Sequence, residues 1–103
     1  MFYYVRFRQY TMDYKEEALD RLEQEEPDAN SSTRRAVAKE MARLLESGRL
    51  DEDLEDQSAD VEYLISRLEL REGEDNPTLK EKWNTWIGEM DYINEGGYNR
   101  YQI

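Results

Sequence analysis

The sequence contains no cysteine and no histidine among its 103 residues. Because there is no cysteine, the chain can form neither a disulfide nor a thiolate metal site. Because there is no histidine, it lacks the commonest general base near neutral pH and the commonest metal-binding side chain. Serine–histidine and cysteine–histidine catalytic pairs are therefore excluded, and we expect neither a metal centre nor a cofactor.

The motifs of phosphate-binding and nucleotide-binding enzymes are also missing. The stretch EGGYNR, residues 95–100, lacks the Lys-Ser/Thr pair of a P-loop and the spacing of a dinucleotide-binding fingerprint. Paired carboxylates are numerous, and such pairs hydrolyse glycosides when they line a cleft. A helical domain of about 100 residues seldom forms a cleft of that size. We therefore expect that the protein is not an enzyme.

Long apolar runs are absent as well. The N-terminal stretch MFYYVRFRQY, residues 1–10, carries arginines among its apolar residues and lacks the apolar centre of a signal peptide. No run approaches the ~18 apolar residues of a membrane span. The chain has no linker-like or repeated segment, so we expect a single domain over residues 1–103. The expected location is the cytoplasm, which agrees with the lack of cysteine.

Negative charge is what the sequence has in excess. It carries 25 acidic and 14 basic residues, for a formal net charge of −11. A charge of this sign repels nucleic acids and anionic membrane surfaces. We therefore expect no direct binding to nucleic acid and no membrane association. The expected partner is a basic protein, and the oligomeric state stays open.

Alternating side chains predict a strand at the N-terminus. Tyr3, Val5 and Phe7 point to one face, and arginines point to the other. The final residues YNRYQI, 98–103, are predicted to pair antiparallel with this strand. A two-stranded ribbon is stable only when it packs on other elements. The expected fold class is α+β, mostly α, with about four helices, a short N-terminal strand and a possible C-terminal strand.

Four segments have the periodicity of helices with one apolar face. They span residues 13–25, 28–48, 58–73 and 76–97. The side chains expected to cap their N-termini are Asp13 or Thr11, Ser31 or Ser32, Ser58, and Asn76 followed by Pro77. Gly48 is expected to end the second helix. Trp83 and Trp86 lie on the apolar face of the last helix, and we interpret them as core residues.

Two acidic blocks are candidates for partner binding. Residues 13–28 carry eight acids and two bases, and residues 51–62 carry seven acids and no base. Acids three and four residues apart on a helix form a row that repeats about every 5.4 Å. The predicted partner-binding residues are Asp13, Glu16, Glu17, Asp20, Glu23, Asp51, Glu52, Asp53, Glu55, Asp56 and Asp60. Arg34 and Arg35, between the blocks, are expected to pair with one of them or to anchor a partner.

A row of carboxylates can imitate the phosphates of a nucleic acid. DNA carries one negative charge per ~1.7 Å of axis, and a basic groove attracts any similar row through its long-range field. In size, acidity and lack of catalytic residues the chain is similar to inhibitors of phages and mobile elements, such as anti-CRISPR and anti-restriction proteins. We therefore hypothesise a small non-enzymatic inhibitor that blocks a nucleic-acid-handling host protein or nuclease complex.

Three other interpretations stay open. A helical adaptor or oligomerisation domain would make its contact through exposed apolar side chains. A halophilic housekeeping domain would carry the acids as a solvated coat. The spacing from Asp51 to Glu62 also resembles an EF-hand calcium loop. However, Asp56 stands where that loop needs glycine for its sharp turn, so no metal site is expected.

Overall fold

Helices make up most of the part of the chain that the structure, a computed structural model, describes, namely residues 13–54, 58–70 and 77–103. In chain order they are α1 (Tyr14–Glu25), α2 (Ser31–Ser47), α3 (Arg49–Asp53), α4 (Val61–Glu69), α5 (Leu79–Ile93) and a 3-10 helix (Asn99–Tyr101). The four longer helices lie within the four predicted segments. None of the described helices combines the length and the apolarity that crossing a membrane requires.

The described residues form an all-α fold, so the predicted α+β class is wrong for this part of the chain. No strand occurs within residues 13–54, 58–70 and 77–103, and the predicted N-terminal strand lies outside them. The predicted C-terminal strand at 98–103 is instead the 3-10 helix. Tyr98 and Tyr101 are both buried, because a 3-10 turn brings residues three apart onto one side. A strand would have placed them on opposite faces.

Local side chains set the ends of the helices. Asp13 caps α1 as predicted, with its carboxylate accepting a hydrogen bond from the Glu16 N–H at 2.9 Å. Gly48 ends α2 in the left-handed conformation at a φ of 75°, also as predicted. The other predicted N-caps are wrong. The residue directly before the helix caps it in each case, namely Asn30 for α2, Asp60 for α4 and Thr78 for α5.

The short helix α3 is absent from the sequence-based prediction. Gly48 ends α2 in the left-handed conformation, and the next five residues form about one and a half helical turns. Leu50 in this turn is buried in the core. A helix of five residues is too short to show an apolar period in the sequence. In the structure it packs against α2.

One hydrophobic core joins all these helices. α1 packs along α2, α4 packs against both of them, and α5 packs against α2 and α4. The largest fully buried side chains are Trp83, Tyr98, Leu22, Met41, Leu44, Leu50, Leu64, Ile87, Val37 and Val61. Trp83 and Trp86 are both buried, with ring centroids 5.6 Å apart, which confirms their interpretation as core residues.

Two neighbouring residues of α5 hold the last residues of the chain in place. The indole Nε1 of Trp83 donates a hydrogen bond to the Tyr101 carbonyl oxygen at 2.7 Å. Asn84 donates from Nδ2 to the Ile103 carbonyl oxygen and accepts at Oδ1 from the Ile103 N–H, each at 2.8 Å. Backbone groups that a strand would offer to another strand are therefore paired with side chains of α5.

We expect Trp83→Phe to destabilise the fold more than Trp86→Phe. Both changes remove similar volume from the core, but only the first leaves the Tyr101 carbonyl oxygen without its donor. Trp86 Nε1 has no hydrogen-bond partner among the described residues. The expected difference in the free energy of unfolding is about 1–2 kcal/mol. Urea denaturation followed by circular dichroism measures it, and equal losses would contradict a stabilising role for this hydrogen bond.

Candidate partner-binding surface

The acids predicted on α1 form a row on one side of that helix. Glu16, Asp20 and Glu23 are exposed, and Glu17 beside them is half-buried. At 100° per residue these four side chains fall within about one third of the helix circumference. The buried residues of α1, Ala18 and Leu22, lie on the opposite side. The predicted ladder on α1 is therefore confirmed as a geometric feature.

This row has little internal compensation among the described residues. The Asp20 carboxylate accepts a hydrogen bond from Gln24 Nε2 at 3.0 Å, which leaves its charge in place. Glu16 and Glu23 have no cationic partner within residues 13–54, 58–70 and 77–103. The α1 row therefore presents its charge outward, as a basic partner would require.

Three other predicted residues accept hydrogen bonds from backbone N–H groups. The carboxylates of Asp13 and Asp60 cap α1 and α4, and Asp60 accepts from the Tyr63 N–H at 2.8 Å. Asp51 Oδ1 accepts from the Ala59 N–H at 2.7 Å and so closes the loop between α3 and α4. These carboxylates are exposed, but helix capping and loop closure already explain their presence in the sequence.

Asp53 is a partner of groups inside the protein. Its Oδ2 accepts from Arg49 Nε at 2.8 Å and from the Tyr98 hydroxyl at 2.5 Å. Burial raises the pKa of the Tyr98 hydroxyl well above its usual range, and the hydrogen bond to Asp53 raises it further. The hydroxyl therefore stays protonated and acts as a donor. Asp53 is thus a structural residue rather than a free charge on the predicted surface.

Arg49 connects α3 to the turn that follows α5. Its Nη2 donates to the carbonyl oxygens of Asn94 at 3.3 Å and Gly96 at 2.9 Å. The guanidinium also lies over the Tyr98 ring, 4.8 Å from the centroid. Gly97 has a φ of 96°, and a Cβ atom there would overlap the Arg49 guanidinium. The sequence signal for this contact is the Gly-Gly pair, Gly96 and Gly97.

Glu62 belongs to the second acidic block, but its negative charge is neutralised by an arginine of the same chain. Arg21 of α1 binds it through two parallel hydrogen bonds, Nε to Oε2 at 2.5 Å and Nη2 to Oε1 at 3.1 Å. The hydrogen bonds from Arg21 lower the pKa of the Glu62 carboxyl. This pair fastens the first turn of α4 to α1.

The first acidic block lies on and just after α1, and the second extends from α3 to the first turn of α4. Among the described residues, α1 and α3 make no direct packing contact. The segment from Ala59 to Glu62 reaches both helices, since Ala59 donates to Asp51 and Glu62 binds Arg21. Glu52 is exposed on α3. Glu55 and Asp56, which belong to the predicted set, lie outside the described residues.

Of the two arginines near the start of α2, Arg34 has internal partners, whereas Arg35 is exposed. Arg34 Nη1 donates to the carbonyl oxygens of Glu26 at 3.0 Å, Pro27 at 3.3 Å and Ala29 at 2.5 Å. It therefore binds the carbonyls that follow α1, not the carboxylates of an acidic block. Lys82 of α5 is buried and forms an ion pair with Glu26. Within the described residues, no group of three or more acidic side chains is placed to hold a metal ion.

Comparison with protein families matches most of the chain to a known domain family. The sequence profile of the WNWW domain matches residues 6–91, more than four fifths of the 103-residue chain. The chain belongs to the WNWW domain family. No curated protein and no solved structure matches it. The matched range includes α1 to α4 and most of α5, and therefore most of this WNWW domain's core.

The matched range of this WNWW domain includes the run Trp83, Asn84, Thr85 and Trp86. Trp83 and Asn84 make the hydrogen bonds that hold Tyr101 and Ile103. Trp86 packs on Trp83. In this chain these residues of the run thus build the core and position the C-terminal segment.

We expect Asp53→Ala to lower the free energy of unfolding by about 2–4 kcal/mol. The change leaves the Tyr98 hydroxyl and part of the Arg49 guanidinium without their acceptor. The neighbouring exposed residue provides the matched control, since Glu52→Ala should change the same quantity by less than about 0.5 kcal/mol. Thermal or urea unfolding measures both variants. Similar small effects would show that the Arg49–Asp53–Tyr98 cluster contributes little.

The Arg21–Glu62 pair should make stability depend on pH in the acid range. The folded pKa of Glu62 is below its unfolded value, so the stabilisation is present above about pH 4.3 and is lost as the pH falls through the folded pKa. We expect Glu62→Gln to reduce the acid-induced loss of stability between about pH 5 and pH 2. Arg21→Gln should have the same effect. Unfolding curves at several pH values measure it, and an unchanged acid limb would contradict it.

Proposed function

We propose that this WNWW domain is a small acidic, non-enzymatic inhibitor of a basic nucleic-acid-handling protein. In this proposal it acts in the cytoplasm, as a product of a phage or mobile element, on a host nuclease complex of the CRISPR or restriction type. Its carboxylates occupy the groove that otherwise holds DNA or RNA and so block access to the nucleic acid. The domain itself binds no nucleic acid.

The observation that carries the proposal is the outward row of Glu16, Asp20 and Glu23 on α1. Like charges three and four residues apart destabilise an isolated helix by a few tenths of a kcal/mol per pair. The described residues supply no cation to offset this cost for Glu16 or Glu23. A basic partner would offset it on binding, and the long-range attraction would accelerate association.

In this proposal the second acidic block, residues 51–62, contributes less to the contact with the partner than the first block does. Of its members, Asp51, Asp53 and Asp60 each accept a hydrogen bond from the chain itself. Asp51, Asp60 and Glu52 are exposed and add to the negative potential, whereas Asp53 is paired with Arg49. We therefore assign the main contact to α1 and a supporting role to the exposed acids of residues 51–60.

The strongest alternative is an adaptor with an apolar interface. Two large hydrophobic side chains near the end of α5, Tyr92 and Ile93, are 88% and 69% exposed, which favours it. The two functions differ in their response to salt. A contact through carboxylates weakens steeply as salt screens the charges, whereas an apolar contact does not.

The test is an affinity column carrying the domain, loaded with nuclease-treated lysate of the source organism and eluted with rising salt. We expect a basic nucleic-acid-binding protein to elute at moderate salt, and duplex DNA to displace it. The triple variant Glu16→Gln, Asp20→Asn, Glu23→Gln should bind this protein at least tenfold more weakly. Three exposed ion pairs at about 0.5 kcal/mol each amount to about one factor of ten.

The matched control removes the same number of charges elsewhere. In Glu46→Gln, Glu81→Gln, Glu95→Gln the net charge equals that of the triple α1 variant, and glutamine keeps the capping role of Glu81. We expect this control to retain most of the affinity. Equal losses in both variants would reduce the effect to net charge, and a partner that ignores salt and DNA would contradict the inhibitor function.

A further inference from the structure

The exposed side of α2 carries three cations in a row. Arg35, Lys39 and Arg43 follow one another at intervals of four residues, and all three are exposed. At about 100° per residue they fall within about 80° of the helix circumference. Arg43 is paired with Glu40, whereas Arg35 and Lys39 form no ion pair with any of the described residues. We call these three cations the α2 stripe.

The α2 stripe and the α1 row of Glu16, Asp20 and Glu23 lie on the same face of a helical hairpin. α1 packs along α2, and only residues 26–30 connect them, so the two helices are antiparallel. α4 packs against both helices, on the side of the residues that they bury in the core. The row and the stripe lie opposite those buried residues, so the hairpin presents them to solvent side by side.

The row and the stripe are also in register along the hairpin. The acids of the α1 row lie 2, 5 and 9 residues before the end of α1, and the cations of the α2 stripe lie 4, 8 and 12 residues after the start of α2. The offset of two or three residues amounts to about 3–5 Å along the axis, which is less than one helical turn. Each acid therefore lies level with one cation, namely Glu23 with Arg35, Asp20 with Lys39 and Glu16 with Arg43.

These level pairs do not form ion pairs within one chain. The axes of packed helices are about 8–10 Å apart, and the row and the stripe point outward rather than toward each other. Among the described residues no ion pair joins α1 to α2. A second copy of the chain can supply the missing partners. A two-fold axis parallel to the helices brings the α1 row of each copy onto the α2 stripe of the other at the same level.

We propose that two copies of this WNWW domain associate through the outer faces of their α1–α2 hairpins. The contact is isologous, and each α1 row binds the α2 stripe of the other copy. The row and the stripe together are neutral. The repulsion caused by the net charge of −11 therefore acts between the remaining surfaces, where physiological salt screens it beyond ~8 Å.

This inference goes beyond the proposed inhibitor function and does not rest on it. The two contacts share the α1 row, so a second copy covers the surface that is assigned to the basic partner. A basic partner must then displace the second copy before it can bind. Self-association would in this way hold the domain in a state that does not inhibit.

Sedimentation equilibrium of the purified chain, from micromolar to millimolar concentration, measures the self-association. We expect the mean mass to rise toward that of a dimer in about 0.15 M salt, and to stay that of a monomer in about 1 M salt, where the Debye length is ~3 Å. An apolar contact would persist in high salt.

Two charge-reversal variants test the row and the stripe separately. They are Asp20→Lys, Glu23→Arg on α1 and Arg35→Glu, Lys39→Glu on α2. Each variant alone should self-associate at least tenfold more weakly, because four opposite-charge pairs of the dimer become like-charge pairs. All four side chains are exposed, so Tm should change little. Arg43 is left unchanged because it binds Glu40.

A mixture of the two variants separates the paired rows from net charge. In the mixed dimer every contact again joins opposite charges, so association should return at least to the level of the parent chain, although both variants stay strongly negative. The chain that carries all four changes keeps the net charge of −11 and should associate as the parent does.

A parent chain that stays monomeric up to millimolar concentration would overturn the proposal. Self-association that both variants retain, or that persists in high salt, would assign the contact to an apolar surface such as exposed Tyr92 and Ile93. A mixture that stays monomeric would show that net charge, and not the paired rows, caused the losses. All these measurements use the purified chain alone, so their outcome is independent of whether a nuclease is inhibited.

Discussion

The placement of α3 and of the segment after α5 depends on the contacts of the Arg49 guanidinium. The guanidinium binds the Asp53 carboxylate, two carbonyl oxygens of the turn after α5 and the face of the Tyr98 ring. A partly buried cation must have such partners, since an unpaired one would be strongly destabilising. These contacts hold Tyr98 in the core at the start of the C-terminal segment. Trp83 and Asn84 then bind the carbonyl oxygens of Tyr101 and Ile103 in the same segment.

The same requirement determines which acids are available to a partner. Asp53 and Glu62 are matched to the arginines Arg49 and Arg21, and Asp13, Asp51 and Asp60 accept hydrogen bonds from the backbone. Carboxylates that look equivalent in the sequence therefore divide into those that hold helices together and those that face water. The exposed side of α1 keeps the most regular row, and the proposed inhibitory contact is placed there for that reason.

Local features were predictable because a few neighbouring residues decide them. Asp13 before α1 and Gly48 after α2 have side-chain and backbone chemistry that favours those roles in almost any context. The predicted caps of α2, α4 and α5 were wrong, because several capping residues stand close together before each helix. The strand predicted for the C-terminal segment was wrong for a different reason. Its aromatic residues suit a strand, but the core accepts Tyr98 and Tyr101 on one side only.

Periodicity and composition were enough to predict the helical segments, the core role of the tryptophans and the excess of negative charge. Which charges are paired depends on the three-dimensional packing of the helices. Arg21 and Glu62 are 41 residues apart, and Asp53 and Tyr98 are 45 apart, so no local pattern could relate them. This packing also decides that Tyr92 and Ile93 face solvent while Trp83 and Ile87 are buried, since that depends on which sides of α5 the other helices cover.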